Sequence, residues 1–190
     1  MVGKIEGLAP CSPVHTADED EHQEKVNQEI NLVLKNLRDS TQASRAMLIR
    51  YHNGMYDLVG NSAIKMSITN EADAIGVQPL LPQFQNQFRG FLAYFCAEIR
   101  DQGYCYIGNI ETLKEKREYT LYEFLAGRGI VSTFGRAVYN NDKKVVGFVV
   151  VEYFNTNYPT MGEIDGCLRD KSNKISALMS IASPIDRSQN

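Results

Sequence analysis

One arginine lies inside an apolar segment of the chain, where an isolated charge is costly. Arg136 is flanked at positions 134–135 and 137–138 by apolar or small residues. A buried guanidinium must be paired with a carboxylate or must bind an anion. Two interpretations stay open: a structural partner such as Glu152 or Glu123, or the phosphate or carboxylate of a ligand.

Two polar segments carry further groups that could bind a ligand. His52, Asn53 and Gly54 follow an apolar run, where a titratable ring and an amide would lie at the mouth of a pocket. The alternative interpretation is that residues 52–54 form the turn that follows the strand, with His52 capping its end. Hydroxyl, amide and carboxylate groups cluster further along the chain, at Ser67, Thr69, Asn70, Glu71 and Asp73. This cluster is equally typical of a polar ligand site and of a solvated loop.

The cysteines and histidines are too scattered for a metal site. Cys11, Cys96, Cys105 and Cys167 form no C-x-x-C pair, and no histidine lies near them with the spacing of metal ligands. We therefore expect no metal, and we expect the thiols to be reduced and mostly buried.

None of the spacings that mark common enzymes is present. The P-loop, G-x-S-x-G, H-E-x-x-H and G-x-G-x-x-G patterns are all absent. The net charge of −3 and the pI near 5.7 disfavour nucleic-acid binding. No apolar run reaches the length of a membrane span, and the first 15 residues lack the apolar core of a signal peptide. We therefore expect a cytoplasmic protein that is not an enzyme and has no cofactor.

The segment 129–154 predicts a β-hairpin that is buried on both faces. Two apolar runs flank the polar residues 140–142, which tolerate the positive φ of tight turns. Between positions 145 and 151 both alternating sets of residues are apolar, so helices should cover both sides of the sheet. With a two-residue turn, Arg136 would lie opposite Gly147, whose missing side chain would leave it room.

The chain opens and closes with amphipathic helices. A capping-box pattern at Thr16 and Glu19 predicts the start of the first helix, and the last helix is predicted over 162–183. The first apolar stripe can face either the body of the protein or a second copy of it. We assign seven stripe residues of the two helices to a homodimer contact: Val26, Ile30, Val33, Leu37, Leu168, Ile175 and Leu178.

Shorter elements fill the middle of the chain. Strands are predicted at 46–51, 63–69 and 104–110, and a helix at 119–126. A long helix that ends near Gly103 is predicted from an aromatic stripe: Phe84, Phe88, Phe91, Leu92, Phe95 and Ile99. The order of elements predicts an α+β fold with a central antiparallel sheet of five to six strands and helices on both faces.

The length of the chain fits one domain with terminal extensions. At 190 residues it can bury a substantial core, but it is too short for two full-sized domains. We expect a flexible arm at 1–15, one domain at 16–183 that includes both terminal helices, and a tail at 184–190.

Three segments of the chain follow the pattern of one known family. The most similar is LAGRGIVSTFGRAVYNNDKKVVGFVVVEYF at 125–154, which resembles the closing turn, strand, hairpin and strand of the GAF domain, a small-molecule-sensing relative of the PAS fold. The others are RAMLIRYHNG at 45–54 and GYCYIGNIETL at 103–113. The chain is thus similar to free-standing GAF-like proteins of bacterial or phage type.

The resemblance implies a ligand held between the sheet and the helices of one face, and a homodimer formed by the terminal helices. It therefore implies a non-enzymatic sensor or sequestering module that binds a small molecule. The residues expected around that ligand are His52, Asn53, Ser67, Thr69, Asn70, Tyr106 and Arg136. The Asn-Lys-Phe-Asp-Glu set of the cyclic-nucleotide-binding members is not found here in order.

Two alternatives stay open within the resemblance. In one, the fold is a structural or protein-interaction component of a larger assembly, for example of a phage, and its own aromatic residues fill the pocket. In the other, the chain reduces free methionine sulfoxide with pocket cysteines, as one GAF-like group does. Cys105 would be the reactive thiol and Cys96 its resolving partner, although the cysteine pattern of that group is not reproduced.

Overall fold

One antiparallel sheet of six strands forms the centre of the protein. The computed structural model describes residues 17–56 and 62–182. The strands are β1 Arg45–Tyr56, β2 Ser62–Asp73, β3 Gln87–Phe88, β4 Tyr104–Ile107, β5 Ser132–Tyr139 and β6 Val145–Tyr153. The helices are α1 Ala17–Thr41, α2 Ala93–Gln102, α3 Thr112–Glu115, α4 Tyr119–Ala126 and α5 Met161–Ala182, with a 3₁₀ turn at Arg89–Leu92. The order across the sheet is β3-β2-β1-β6-β5-β4, which confirms the predicted α+β class.

Helices cover both faces of the sheet, and each face has its own hydrophobic core. Alternate residues of β1 and β6, such as Leu48 and Val149, pack against α1 and α5. The intervening residues, such as Ile49 and Phe148, face α2, α4 and the 3₁₀ turn. Successive side chains of a strand point to opposite faces, so two continuous apolar sets require two covered faces. The double burial predicted for the hairpin is therefore confirmed.

The β5–β6 hairpin has a longer turn than the sequence predicted. The amide of Asn140 donates to the carbonyl of Lys144 at 3.0 Å, and Lys143 adopts a positive φ of 59°. The longer turn shifts the register, so Arg136 pairs with Val149 and Val138 pairs with Gly147. The predicted position of Arg136 opposite Gly147 is therefore wrong.

The predicted long aromatic helix is instead three short elements. Asn86 takes a positive φ of 56°, the segment 87–88 pairs with β2 as the edge strand β3, and the chain then forms the 3₁₀ turn before α2. The end of the helix is as predicted: Gly103 has φ 81° and its amide donates to the carbonyl of Ile99 at 3.0 Å. Pairing along the edge of β2 has thus prevailed over helical periodicity.

Three further boundaries test the sequence predictions. Helix α4 coincides with the predicted 119–126, whereas the one-turn helix α3 was not predicted. Strand β1 continues through His52 and Asn53 to Tyr56, so the turn predicted there is wrong. The capping residue Thr16, the arm 1–15 and the tail 184–190 lie outside the described residues.

Candidate functional site

A small cavity lies between the sheet and the helices α2 and α4. Its volume is about 20 Å³. Apolar side chains make up most of its lining: Met47, Ile49, Ile68, Leu80, Phe84, Leu92, Phe95, Leu121, Phe124, Leu125, Phe148 and Val150. Thr133 and Glu152 complete the lining, and they are opposite each other in the β5–β6 register. An apolar cavity with a few polar groups at one end is the usual form of a small-molecule site.

Glu152 brings a carboxyl group into this apolar surrounding. It occupies the cavity side of β6 and is only 3% exposed. Its Oε2 accepts a hydrogen bond from Arg45 Nη1 at 3.0 Å. Burial raises the pKa of Glu152 to about 7, although the positive charge of Arg45 acts in the opposite direction.

Arg45 joins three carboxylates beneath the cavity. Besides Glu152, its Nε lies 2.9 Å from Glu71 and 2.8 Å from Asp73. The Glu71 carboxylate also accepts the amides of Leu80 and Leu81, at 2.8 to 3.1 Å. A buried charge is stable only when it is paired and hydrogen-bonded. This network therefore fixes Arg45 and ties the loop after β2 to the floor of the cavity.

Phe84 and Phe124 line the cavity, and the ring of Phe91 packs against both of them. The ring centroids of Phe91 and Phe124 are 5.1 Å apart at 90°, and that of Phe84 is 6.4 and 5.6 Å from them. Phe84 is buried, whereas Phe91 and Phe124 are partly exposed. These rings occupy the space that a larger ligand would need.

The ligand-binding residues predicted from the sequence lie mainly on the opposite face of the sheet. In β4 and β5, Tyr106 and Arg136 point towards α5. The carboxylate of Asp165 accepts a hydrogen bond from Tyr106 and pairs with Arg136 Nη1 at 2.6 Å and with Arg169 at 2.8 Å. Arg136 therefore has a structural partner within the chain, which was one of the two interpretations of the sequence. That partner is Asp165, and the predicted partners Glu152 and Glu123 are wrong.

The polar cluster of β1 and β2 also pairs internally. His52 Nε2 lies 2.9 Å from Ser67 Oγ, and that hydroxyl also accepts the amide of Asn86 at 2.8 Å. Asn70 donates to the side chain of Asn31 in α1 at 2.9 Å. Thr69 is exposed at the bulge of β2. The side chain of Asn53 lies outside the described residues.

The stripe residues assigned to a dimer contact belong to the core of the single chain. Six of them are no more than 6% exposed, and Leu178 packs at the edge of the same cluster. They contact one another across α1 and α5 and the sheet beneath. The contact predicted for a homodimer stays a prediction, and it would compete with this packing within the single chain.

The two thiols beside α2 lie where reactivity is low. Cys96 and Cys105 are buried in the core beside α2, and burial raises the pKa of both thiols. A thiolate is the reactive species, so this environment is unfavourable for thiol chemistry. Within residues 17–56 and 62–182, no three His, Cys, Asp or Glu side chains are grouped so as to hold a metal ion. In that same part of the chain, no helix has the length and apolarity needed to cross a bilayer.

Sequence reasoning missed Arg45 and its role. The residue is the first of β1, and Glu152 follows the alternation of Phe148 and Val150 on the cavity side of β6. The sequence signal for this site was a carboxyl residue at a position where the alternation of the strand predicts a buried apolar side chain.

Comparisons with known proteins give the fold of the chain. No protein-family model and no curated protein sequence matches it. Among solved structures it is similar to GAF3 of Slr1393 from Synechocystis sp. PCC6803, with 13% identity, a TM-score of 0.64, and 83% of this chain and 94% of that one covered. It is also similar to a phycocyanobilin-bound GAF domain of a cyanobacterial phytochrome, with 10% identity, a TM-score of 0.64, and 88% and 97% covered.

A third similar structure is the chromophore-binding domain of a Stigmatella aurantiaca phytochrome. The identity is 12% and the TM-score 0.59, and the match covers 90% of this chain and 63% of that one. At such low identities the likeness concerns the fold, and sites do not follow from a fold. The chain has the fold of a GAF-like domain.

Proposed function

We propose that the chain is a non-enzymatic small-molecule-binding module of the sensor type, with its ligand site in the cavity above Glu152. The observation that carries this proposal is the buried carboxyl of Glu152 at the inner end of an apolar cavity. A core that serves packing alone gains nothing from a carboxyl, because burying it costs free energy. The phycocyanobilin-bound domain of similar fold supports a small-molecule role.

The ligand has an apolar body and one hydrogen-bond donor. Its N–H or O–H would donate to Glu152, and its body would contact the aliphatic and aromatic lining. At about 20 Å³ the cavity holds about one water molecule, whereas ligand pockets measure roughly 300–1,000 Å³. Binding therefore requires the lining to move outward, and Phe124 is a lining residue that is partly exposed.

The scaffold alternative rests on the same three rings. If Phe84, Phe91 and Phe124 stay in place, they complete the core and leave no room for a ligand. The fold would then act as a structural or interaction component, with Glu152 serving only as a partner of Arg45.

Indole and indene separate the two functions, since the rings are alike but only indole has an N–H donor. We expect indole to shift the amide NMR signals of Thr133 and Glu152 in the full chain, and to bind more tightly than indene. Glu152→Met removes the acceptor while Arg45 keeps Asp73 and Glu71, so the preference for indole should disappear.

Phe124→Ala serves as the matched control, because it opens the outer side without altering Glu152. If indole binds Phe124→Ala but leaves the parent signals unchanged, the rings are a permanent filling and the scaffold function is supported instead. Native mass spectrometry of the purified full chain would identify any small molecule that co-purifies.

A further inference from the structure

A second concave site lies on the outside of α2, where the helix faces the edge of the sheet. Its volume is about 410 Å³, within the range of small-molecule sites. Its lining comes from β2, β3, the 3₁₀ turn and α2: Ile64, Phe88, Arg89, Gly90, Ala93, Cys96, Ala97 and Arg100. We call this surface the α2 groove. It shares no lining residue with the cavity above Glu152.

The α2 groove is positively charged in a protein with a net negative charge. Two guanidinium groups line it, and none of its lining residues is Asp or Glu. Arg100 pairs with its sequence neighbour Asp101 at 2.6 Å, on the exposed side of the helix. Arg89 pairs with no carboxylate in the described ranges 17–56 and 62–182; it stacks over Tyr51, with 5.2 Å from its Cζ to the ring centroid. Arg89 is thus oriented by the ring of Tyr51 and interacts with the Cys96 thiol, and a guanidinium with five N–H donors can pair with an anion as well.

An apolar shelf lies beside these cations. Phe88 is 58% exposed and Ile64 38% exposed, and Ala93 and Ala97 add small side chains from α2. The ammonium of Lys65 lies 5.3 Å from the centroid of the Phe88 ring, which adds a cation at the edge of the shelf. Large apolar side chains exposed next to cationic groups are typical of a binding surface.

The thiol at the bottom of the groove does not indicate redox chemistry. Cys96 is 1% exposed, and burial raises its pKa. Neither access nor ionisation favours reaction there. The groove is therefore suited to bind a ligand through its charge and its shape, without a reaction at the thiol.

We propose that the α2 groove binds a small organic anion with a flat apolar body, such as an aromatic carboxylate. Arg89 pairs with the carboxylate, and Phe88 and Ile64 cover the body. Arg can bind a carboxylate with two parallel N–H donors, and an aromatic shelf adds contact area without adding charge. This site is independent of the ligand proposed for the cavity above Glu152.

The probe for this site is 2-naphthoate, titrated into the full chain by calorimetry. We expect saturation at one site, with shifts in the amide NMR signals of Gly90, Ala93 and Ala97. Arg89→Met should weaken binding by about tenfold or more, because it removes the charge-assisted pair but keeps most of the side-chain length. The neutral 2-naphthamide and inorganic phosphate should each bind at least about tenfold more weakly, since one lacks the charge and the other lacks the apolar body.

The matched control is Arg117→Met, which removes an exposed guanidinium between α3 and α4 and changes the net charge equally. It should bind 2-naphthoate like the parent, and thermal melts should report folded protein for both variants. Absence of saturable 2-naphthoate binding to the parent would overturn the proposal. Equal binding by Arg89→Met and the parent, or equal binding of 2-naphthoate and 2-naphthamide, would also overturn it.

Discussion

Glu152 pairs with Arg45 and can also form a hydrogen bond with a ligand. Its carboxyl lies within 3.0 Å of Arg45, yet its pKa is raised to about 7, chiefly by burial and to a smaller extent by the negative charge of Glu71. The attraction of Arg45 lowers the pKa but does not offset burial, so the carboxyl is partly protonated near neutral pH. A carboxyl in this state can both accept and donate a hydrogen bond, which suits it to recognise the polar end of a ligand.

The stability difference between the parent and Glu152→Gln should change with pH. In the folded state Glu152 keeps its proton up to about pH 7, whereas in the unfolded state it loses the proton near the ordinary glutamate pKa of 4.5. Because the folded pKa is raised, the protonated carboxyl contributes to the free energy of unfolding below pH 4.5, and this contribution is lost as the pH rises through 7. Between pH 4.5 and 7 the free energy of unfolding of the Gln variant, relative to the parent, should therefore rise by on the order of 3 kcal/mol.

Urea denaturation of both proteins at pH 4.5 and at pH 8 measures this change. The control Glu115→Gln alters an exposed carboxyl outside the cavity and should show no such trend. A parent-to-variant difference that stays constant from pH 4.5 to 8 would contradict a raised pKa at Glu152.

Asp165 should behave in the opposite way. Burial opposes its ionisation, but the hydrogen bond from Tyr106 and the charges of Arg136 and Arg169 outweigh burial, so its pKa lies below its usual value. The stability it contributes is present above about pH 4 and is lost as pH falls through the folded pKa. Asp165→Asn should cost about 1 kcal/mol at pH 7, since the group is partly exposed, and the cost should shrink as the pH falls below 4. A cost that does not shrink as the pH falls would show that the charge is not responsible.

At the scale of elements, α1 should stabilise the single chain. Leu37 is fully buried against the sheet, whereas Leu32 on the same helix is 54% exposed. Leu37→Ala should lower the free energy of unfolding by about 2–5 kcal/mol, and Leu32→Ala by less than about 0.5 kcal/mol. Denaturation and light scattering at several protein concentrations measure both effects. A loss for Leu37→Ala that depends on protein concentration would instead support the predicted dimer contact.

The pairing of β1 with β6 depends on a glycine. A Cβ at Gly147 would lie 2.3 Å from the carbonyl oxygen of Ile49 and 3.0 Å from Cα of Arg50, and a strand backbone cannot move away cheaply. Gly147→Ala should therefore cost about 1–3 kcal/mol, measured by denaturant unfolding. Gly90→Ala is the control, because a Cβ there meets nothing within 4 Å. Equal stability of the two variants would mean that the strands separate easily.

Local periodicity predicted much of the fold and little of the candidate site. The hairpin, both terminal helices and α4 were predictable because each is defined by its own short-range pattern. Arg45 and Glu152 are 107 residues apart and meet only through the register of β1 with β6. Arg136 was recognised as a charge in need of a partner, but its partner Asp165 comes from a helix whose rotation on the sheet no local pattern specifies.

At the scale of the whole molecule, the two faces of the sheet differ in the length of the helices that cover them. The helices α1 and α5 have 25 and 22 residues, whereas α2, α3 and α4 have 10, 4 and 8. Isolated helices shorter than about 12–15 residues are marginal in water, so the short ones depend on packing. The face with the cavity should therefore open more readily than the face of α1 and α5.

Amide hydrogen exchange of the full chain should reveal this asymmetry. We expect amides of α4 to exchange at least about tenfold faster than those of the middle of α1 and of β6, through local opening rather than global unfolding. Phe124→Ala should accelerate exchange in α4 further, because it removes a ring that packs against Phe84 and Phe91, and should leave α1 unchanged. Protection of α4 equal to that of β6 would mean that the cavity opens only when the whole domain unfolds, and a ligand could not enter it as proposed.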